Sequence, residues 1–298
     1  MELLRHCWEL LYLSISYSGD ETNGACNKAE KTTKSNMCAE KPMALVIKNL
    51  SFAYKNHKVL HDISFTADPG EIITIIGPNG SGKTTCIKCI AGLAKPASGV
   101  IELNSQNIYS ISDNARARAI AYVPQRSEVS GISVFDLILL GRRPYISWDI
   151  PEADLVLAGR VIEYMGLKEL AFRQTDAISG GEFQIAQIAR AIIQEPALIA
   201  LDEPTSNLDI QNQRSVMLKI KALVQSKKLI AVITNHDINL SIRYSDKFVL
   251  LKDGRIYASG SHKIITSANI KAVYGIDVHV ETINGFPVIV PREEETKL

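Results

Sequence analysis

At 298 residues the chain is long enough for one large α/β domain, or two modest ones, around a sizeable core. Lys plus Arg number 33 against 32 Asp plus Glu, so no global field argues for a nucleic-acid partner or an anionic membrane surface. No apolar run approaches the roughly 20 residues that span a bilayer, and five cysteines, odd in number and irregularly spaced, fit a reducing compartment better than a disulfide framework.

Residues 3–15 are apolar-rich but interrupted by Arg5, His6 and Glu9, with no basic leader and no small-residue cleavage site after them, which argues against a secretory signal. Residues 20–42 are rich in Lys, Glu, Thr, Asn and Ser and carry too few large apolar groups to offset their ordering entropy. A disordered extension is expected over residues 1–42, with Met43 as an alternative start. From residue 44 the pattern changes. Leu45-Val46-Ile47, Leu50, Phe52 and Tyr54, then residues 59–65, read as short strands around a polar turn at residues 55–58. Residues 71–76 form a β-branched run bounded by Pro69-Gly70 and Gly77-Pro78, the signature of a strand buried on both faces.

A helix is predicted over residues 84–93 and a strand over 99–103. Cys86 and Cys89 form a C-x-x-C on that helix, where packing is favoured over redox or metal chemistry. Residues 127–177 are mostly helical in pattern, broken at Gly131, Gly141, Pro144 and Pro151. Strands then alternate with helices over residues 197–201, 210–226 and 229–234, which implies right-handed crossovers and a parallel sheet. At the C-terminus, residues 278–283 and 286–290 flank Asn284-Gly285, a hairpin signal of the type I′ kind, with Pro287 marking an edge strand.

Gly77-Pro78-Asn79-Gly80-Ser81-Gly82-Lys83-Thr84 satisfies G-x-x-x-x-G-K-[ST] between a predicted strand and a predicted helix, the context that motif requires. Its glycines let backbone N–H groups turn inward around phosphates, Lys83 would reach the β- and γ-phosphates, and Thr84 would ligate Mg²⁺. A ligand-free glycine turn is the competing reading. An apolar strand ends in Asp202 and Glu203, and parallel strands present their C-terminal ends to the ligand crevice. Asp202 would hold Mg²⁺ and Glu203 would polarise the attacking water; alone, the pair reads equally as a solvated strand end. Gln125 would reach Mg²⁺ or the water, His236 the γ-phosphate, and Tyr54 an adenine ring. In isolation these three also suit a surface amide, a solvated loop histidine and a packed strand aromatic. Ser179-Gly180-Gly181-Glu182 opens a helix-patterned run and reads as a second phosphate-contacting helix start, about a hundred residues after the first.

Taken together, these residues resemble the nucleotide-binding subunit of an ABC transporter over roughly residues 44–260. Residues 77–84 look like Walker A, Gln125 like the Q-loop, 178–182 like the LSGGQ signature, 198–203 like Walker B, 206–209 like the D-loop and His236 like the switch histidine. Ile178 stands for the usual Leu and Glu182 for Gln; a charge there favours the helix dipole while opposing phosphate. The resemblance implies an α/β fold: a P-loop NTPase core with a mostly parallel sheet, an N-terminal antiparallel β-subdomain and an inserted helical subdomain. The domain would cover residues 43–261, its helical insertion residues 127–178, with residues 262–298 as a C-terminal appendage.

The resemblance further implies a homodimer in which ATP lies between Walker A of one subunit and the signature of the other. Tyr54, Gly77, Pro78, Asn79, Gly80, Ser81, Gly82, Lys83, Thr84 and Thr85 would bind ATP in one chain, joined by Ser179, Gly180 and Gly181 of the other. Thr84, Gln125 and Asp202 would hold Mg²⁺, while Glu203, His236 and Gln125 would serve catalysis. Residues 133–137 with Gly141-Arg142-Arg143-Pro144-Tyr145 are similar to ATPases importing iron-siderophore, haem or cobalamin. Integral-membrane permease subunits, an extracellular or periplasmic substrate-binding protein and a peripheral place on the cytoplasmic face are then expected, with no nucleic acid. The alternatives are a soluble ABC ATPase of translation or DNA repair, disfavoured by a single cassette and the lack of sustained heptads, an importer ATPase for another small solute, and a module that binds ATP without hydrolysing it, against which Glu203 argues.

Overall fold

A computed structural model describes residues 44–55, 57–125, 130–146 and 148–292. The extension predicted over residues 1–42, Met43 and residues 127–129 of the predicted insertion lie outside the described residues.

Two sheets frame the described residues up to Gly260. Strand β1 (Leu45–Tyr54) pairs antiparallel with β2 (His57–Ala67) and with β4 (Ser98–Leu103), and the two-residue β5 (Gln106–Asn107) completes the order β2-β1-β4-β5. Alternation buries Leu45 and Ile47, slips at Asn49 (φ 51°), and resumes with Leu50 and Phe52 inward. The extra residue is a bulge that re-aims the strand. Pairing continues to Tyr54↔His57, so the turn is tighter than residues 55–58 because Ala53 and Lys58 are already in register.

The second sheet has the order β10-β9-β3-β8-β7-β6. It comprises β3 (Ile72–Ile76), β6 (Ile120–Val123), β7 (Leu198–Asp202), β8 (Ile230–Thr234), β9 (Lys247–Lys252) and β10 (Arg255–Gly260). All of its pairings are parallel except β10 with β9. Every residue of β3, β7 and β8 is buried, as their unbroken apolar runs require of a sheet covered on both faces.

Helix α1 (Lys83–Ile90) leaves β3 and packs its inner face with the first sheet, burying the free thiols of Cys86 and Cys89. It stops short of the predicted residue 93, where the Leu93 N–H turns back to the Lys88 carbonyl past Gly92 (φ 74°). Helix α2 (Asp113–Ala119) precedes β6. Between β6 and β7 come α3 (Val134–Leu139), α4 (Glu152–Met165) and α5 (Gly180–Ile193), joined by short 3-10 turns. These three share one apolar cluster with Val123, Ile199 and Leu201 of the sheet, so α5 is fixed to the strands that carry the acids. Helices α6 (Ile210–Lys227) and α7 (Ile238–Tyr244) flank β8.

Behind β3, helix α8 (Ser267–Tyr274) and the hairpin of β11 (Val278–Ile283) and β12 (Phe286–Pro291) form a third cluster. Ile270, Val273 and Ile289 there meet Ile76, Phe248 and Leu250. The hairpin closes at Ile283↔Phe286 with Asn284 (φ 52°) and Gly285 (φ 82°) both left-handed, as a type I′ turn demands. Among the described residues no helix is long and apolar enough to cross a membrane.

Candidate nucleotide-binding site

The loop from β3 to α1 is shaped by steric exclusion. A Cβ at Gly77 would lie 2.2 Å from the Leu251 carbonyl oxygen, and one at Gly82 would lie 2.8 Å from Leu60 Cδ2 at φ 100°. Only glycine allows both approaches. Gly82 also serves as the N-cap of α1 without any side-chain cap bond, and no acidic residue lies in the first turn of that helix. Its N–H groups are thus left for an external acceptor, and the dipole favours an anion.

Lys83 is folded back on this loop, its Nζ donating to the carbonyls of Gly77 and Pro78 at 2.8 and 3.0 Å. Burial lowers its pKa, while the charges of Glu203 and Asp202 act in the opposite direction. A cation held by neutral carbonyls near carboxylates is well placed to exchange those carbonyls for phosphate oxygens.

The acids stand at the C-terminal end of β7. Asp202 is buried and its Oδ1 accepts from Thr84 Oγ1 at 3.3 Å and from Thr234 Oγ1 at 2.6 Å. Glu203 follows in a left-handed conformation (φ 50°), held by its N–H to the Thr234 carbonyl and hydroxyl at 3.1 and 3.0 Å. Such a conformation is costly for a residue with a Cβ and persists where surrounding structure dictates it. Here it turns the carboxylate between two partners: Gln125 Nε2 donates to Oε2 at 2.5 Å, and His236 Nε2 lies 2.5 Å from Oε1.

One cleft of about 510 Å³ is lined by Val59, Asn79, Gly80, Gly82, Lys83, Thr84, Thr85, Gln125, Glu203 and His236; Gly77, Pro78, Ser81 and Asp202 are not on its wall, and Asp202 is joined to it through the Thr84 hydroxyl. Tyr54 does not line it; half exposed beside the β1–β2 turn, it packs edge-on against Phe52 with ring centroids 4.7 Å apart. The Thr84 hydroxyl against the Asp202 carboxylate offers hard oxygen donors of the kind Mg²⁺ takes, so the residues present fit that ion.

Thr234 was not singled out by its sequence. It binds both acids at once, and its only signal is a hydroxyl ending the apolar run of β8.

Ser179, Gly180 and Gly181 are not among the residues lining the cleft. Ser179 caps α5 in a capping box: its Oγ accepts from the Glu182 N–H at 3.3 Å, and Glu182 Oε2 accepts from the Ser179 N–H and hydroxyl at 2.8 Å each. The Ser179 N–H first, then its hydroxyl, holds the Glu182 carboxyl below the usual carboxylate range. Ser179 and Gly180 are exposed, and a Cβ at Gly181 would sit 3.3 Å from the Asn207 carbonyl. The serine end of α5 thus lies against residues 207–208 of its own chain with its outer face open.

Residues 60–206 match the family model described as ABC transporter. An uncharacterized ABC transporter ATP-binding protein of Methanocaldococcus jannaschii is 43% identical over 249 residues, 84% of this chain and 98% of that protein. The petrobactin import ATP-binding protein YclP of Bacillus subtilis is 33% identical over 240 residues, 80% of this chain and 95% of that protein. Among solved structures, an ATP-binding cassette captured as a dimer in a post-hydrolysis state with ADP and Pi superposes with a TM-score of 0.67 at 26% identity, covering 73% of this chain and 98% of that one. With the glycine loop, the paired acids and the cleft between them in one P-loop core, the chain belongs to the ABC transporter ATP-binding proteins, which bind and hydrolyse ATP.

Proposed function

We propose that this chain is the ATPase of an importer for an iron-siderophore, haem or cobalamin, and that it works as a homodimer with ATP shared between subunits. One observation carries the reading: Lys83, Thr84, Gln125, Glu203 and His236 meet in one cleft, whereas Ser179 and Gly180 stand exposed outside it. A complete half-site therefore calls for a second copy. ATP phosphates would settle on residues 77–85, with Lys83 leaving the Gly77 and Pro78 carbonyls for them. Thr84, Asp202 and Gln125 would hold Mg²⁺, which would supply charge neutralisation to the phosphates. Glu203 would polarise water while His236 meets the γ-phosphate. Ser179, Gly180 and Gly181 of the second copy would close the site, and hydrolysis would release it.

The cargo class rests on the petrobactin relative and on the segment around Gly141-Arg142-Arg143-Pro144-Tyr145. Integral-membrane permease subunits at the cytoplasmic face, and through them an external binding protein, are the partners this reading requires. Glu203→Gln should leave ATP binding intact and lower steady-state turnover by about 10² or more; near-normal turnover would reject the assignment of the base. Ser179→Arg and Lys83→Ala chains, each inactive alone, should regain part of the activity when mixed. Failure of verified mixed dimers to regain any would reject the shared site.

A further inference from the structure

His236 stands on a short bridge between two fixed points. On one side Thr234 ends β8, its hydroxyl on Asp202 and its carbonyl and hydroxyl holding the Glu203 N–H. On the other, Asp237 is locked to the start of α7: its carboxylate accepts from the Leu240 N–H at 2.8 Å, its carbonyl from the Ser241 hydroxyl at 2.7 Å, and its own N–H returns to the Asn235 side chain at 3.2 Å. The imidazole between these points lies 2.5 Å from Glu203, so its place depends on where α7 points. A helix of seven residues has little stability of its own, and what packs on it fixes its axis. That packing comes from the C-terminal hairpin, which lies outside residues 60–206. Ile238 and Ile242 of α7 share an apolar cluster with Phe286 and Ile289 of β12, and the Arg243 guanidinium lies 5.1 Å over the Phe286 ring. Asn239 completes the grip. Its Nδ2 donates to the Ile289 carbonyl at 3.1 Å, and its Oδ1 accepts from the Ile289 N–H at 2.9 Å. Apolar contact is non-directional, whereas a two-point amide bond fixes the register of helix on strand.

We propose that Asn239 is a positioning residue for ATP hydrolysis: by fixing α7 on the C-terminal hairpin it holds His236 against Glu203, where the γ-phosphate would arrive. Without its two bonds α7 keeps its apolar contacts but loses its register on β12, and the resulting shift at Asp237 passes to the histidine one residue away. Nucleotide affinity is untouched, because residues 77–85 carry it. The hairpin thereby serves the hydrolytic side of the site without lining the cleft. This inference rests on the assignment of His236 to the γ-phosphate.

Asn239 stands at the surface, so Asn239→Ala removes both bonds and leaves no cavity in the core. The expected result is a kcat lowered about 3-fold or more, the scale of one net hydrogen bond, with the KM for ATP and the dissociation constant for ADP within about twofold of the parent. The imidazole resonances of His236 should shift in the nucleotide-free chain, while those of His57 and His61 on β2 stay in place. A fall in kcat smaller than about 3-fold would overturn the proposal, as would His236 resonances unmoved by the substitution. So would a fall in kcat matched by an equal loss of nucleotide affinity, the mark of a chain loosened as a whole. His236→Ala, measured alongside, separates the two readings: turnover at the parent's level there rejects the assignment of His236 itself, whereas loss of turnover in His236→Ala without loss in Asn239→Ala rejects the positioning role alone.

Discussion

Two helices of this chain begin on glycine-rich loops, and their first turns are satisfied in opposite ways. Helix α1 starts at Gly82 with no side-chain cap and no acid in its first turn, its N–H groups facing a cleft. Helix α5 starts at Ser179 with its capping box closed by Glu182. The first start has its donors ready and its cation parked on two carbonyls. The second has given its serine hydroxyl to its own carboxylate. An anion arriving at α1 displaces only weak neutral contacts, whereas one arriving at α5 must compete with a charged acceptor already in place. The difference separates a site built to bind from one built to join late.

The largest way to break the comparison is to give α1 a side chain. Gly82→Ala would place a Cβ 2.8 Å from Leu60 Cδ2 and force alanine to φ 100°. Left-handed strain and overpacking together should cost about 2–4 kcal/mol of stability, read by denaturant titration, with ATP binding lost because the loop is displaced. A stable Gly82→Ala chain that still binds ATP would show that the glycine is not what shapes the loop.

Ser179→Ala tests the other start and should do less. Loss of the cap should cost about 1 kcal/mol, while ATP binding to the isolated chain should be unchanged and ATP-driven dimerisation, followed by light scattering in the Glu203→Gln background, should be weakened. If ATP binding to the monomer fell in parallel, the two starts would serve one nucleotide within one chain.

The glycine loop, the acids after β7 and the hairpin turn were legible because each is local: a handful of adjacent residues fixes the backbone and the chemistry together. The box between Ser179 and Glu182 is equally visible as S-x-x-E, which makes Glu182 a cap partner as well as a charge near a helix start. Thr234 was not legible. Its partners, Asp202 and Glu203, lie about thirty residues back along the chain, and no periodicity announces a contact across parallel strands. The strands β9 and β10 carry no comparable local signal, although β9 is the neighbour that excludes a side chain at Gly77. Left-handed Glu203 is a further case, since the sequence shows the acid but not the backbone that aims it.

Glu182→Gln gives the smallest and most informative change, because its two consequences have opposite sign. In the free chain the carboxylate holds the Ser179 N–H and hydroxyl and sits at the positive end of α5, with Arg173 adding a favourable charge. Its pKa is lowered by folding, so its contribution is present above the ordinary value of 4.5 and is lost as pH falls through the lower folded value. Near neutral pH the glutamine chain should therefore be less stable by a few tenths of a kcal/mol, the scale of a solvated charge at a helix end. The deficit should vanish in acid, where the parent's carboxyl is protonated too. In the closed dimer the same carboxylate would face phosphate, and removing its charge frees the Ser179 hydroxyl from a charged acceptor. The ATP concentration for half-dimerisation should fall by about twofold to fivefold, the counterpart of the same dipole-scale interaction. A glutamine chain that dimerised less readily would mean that the carboxylate organises the serine for the partner's nucleotide, and the contrast between the two helix starts would be one of preparation rather than of competition.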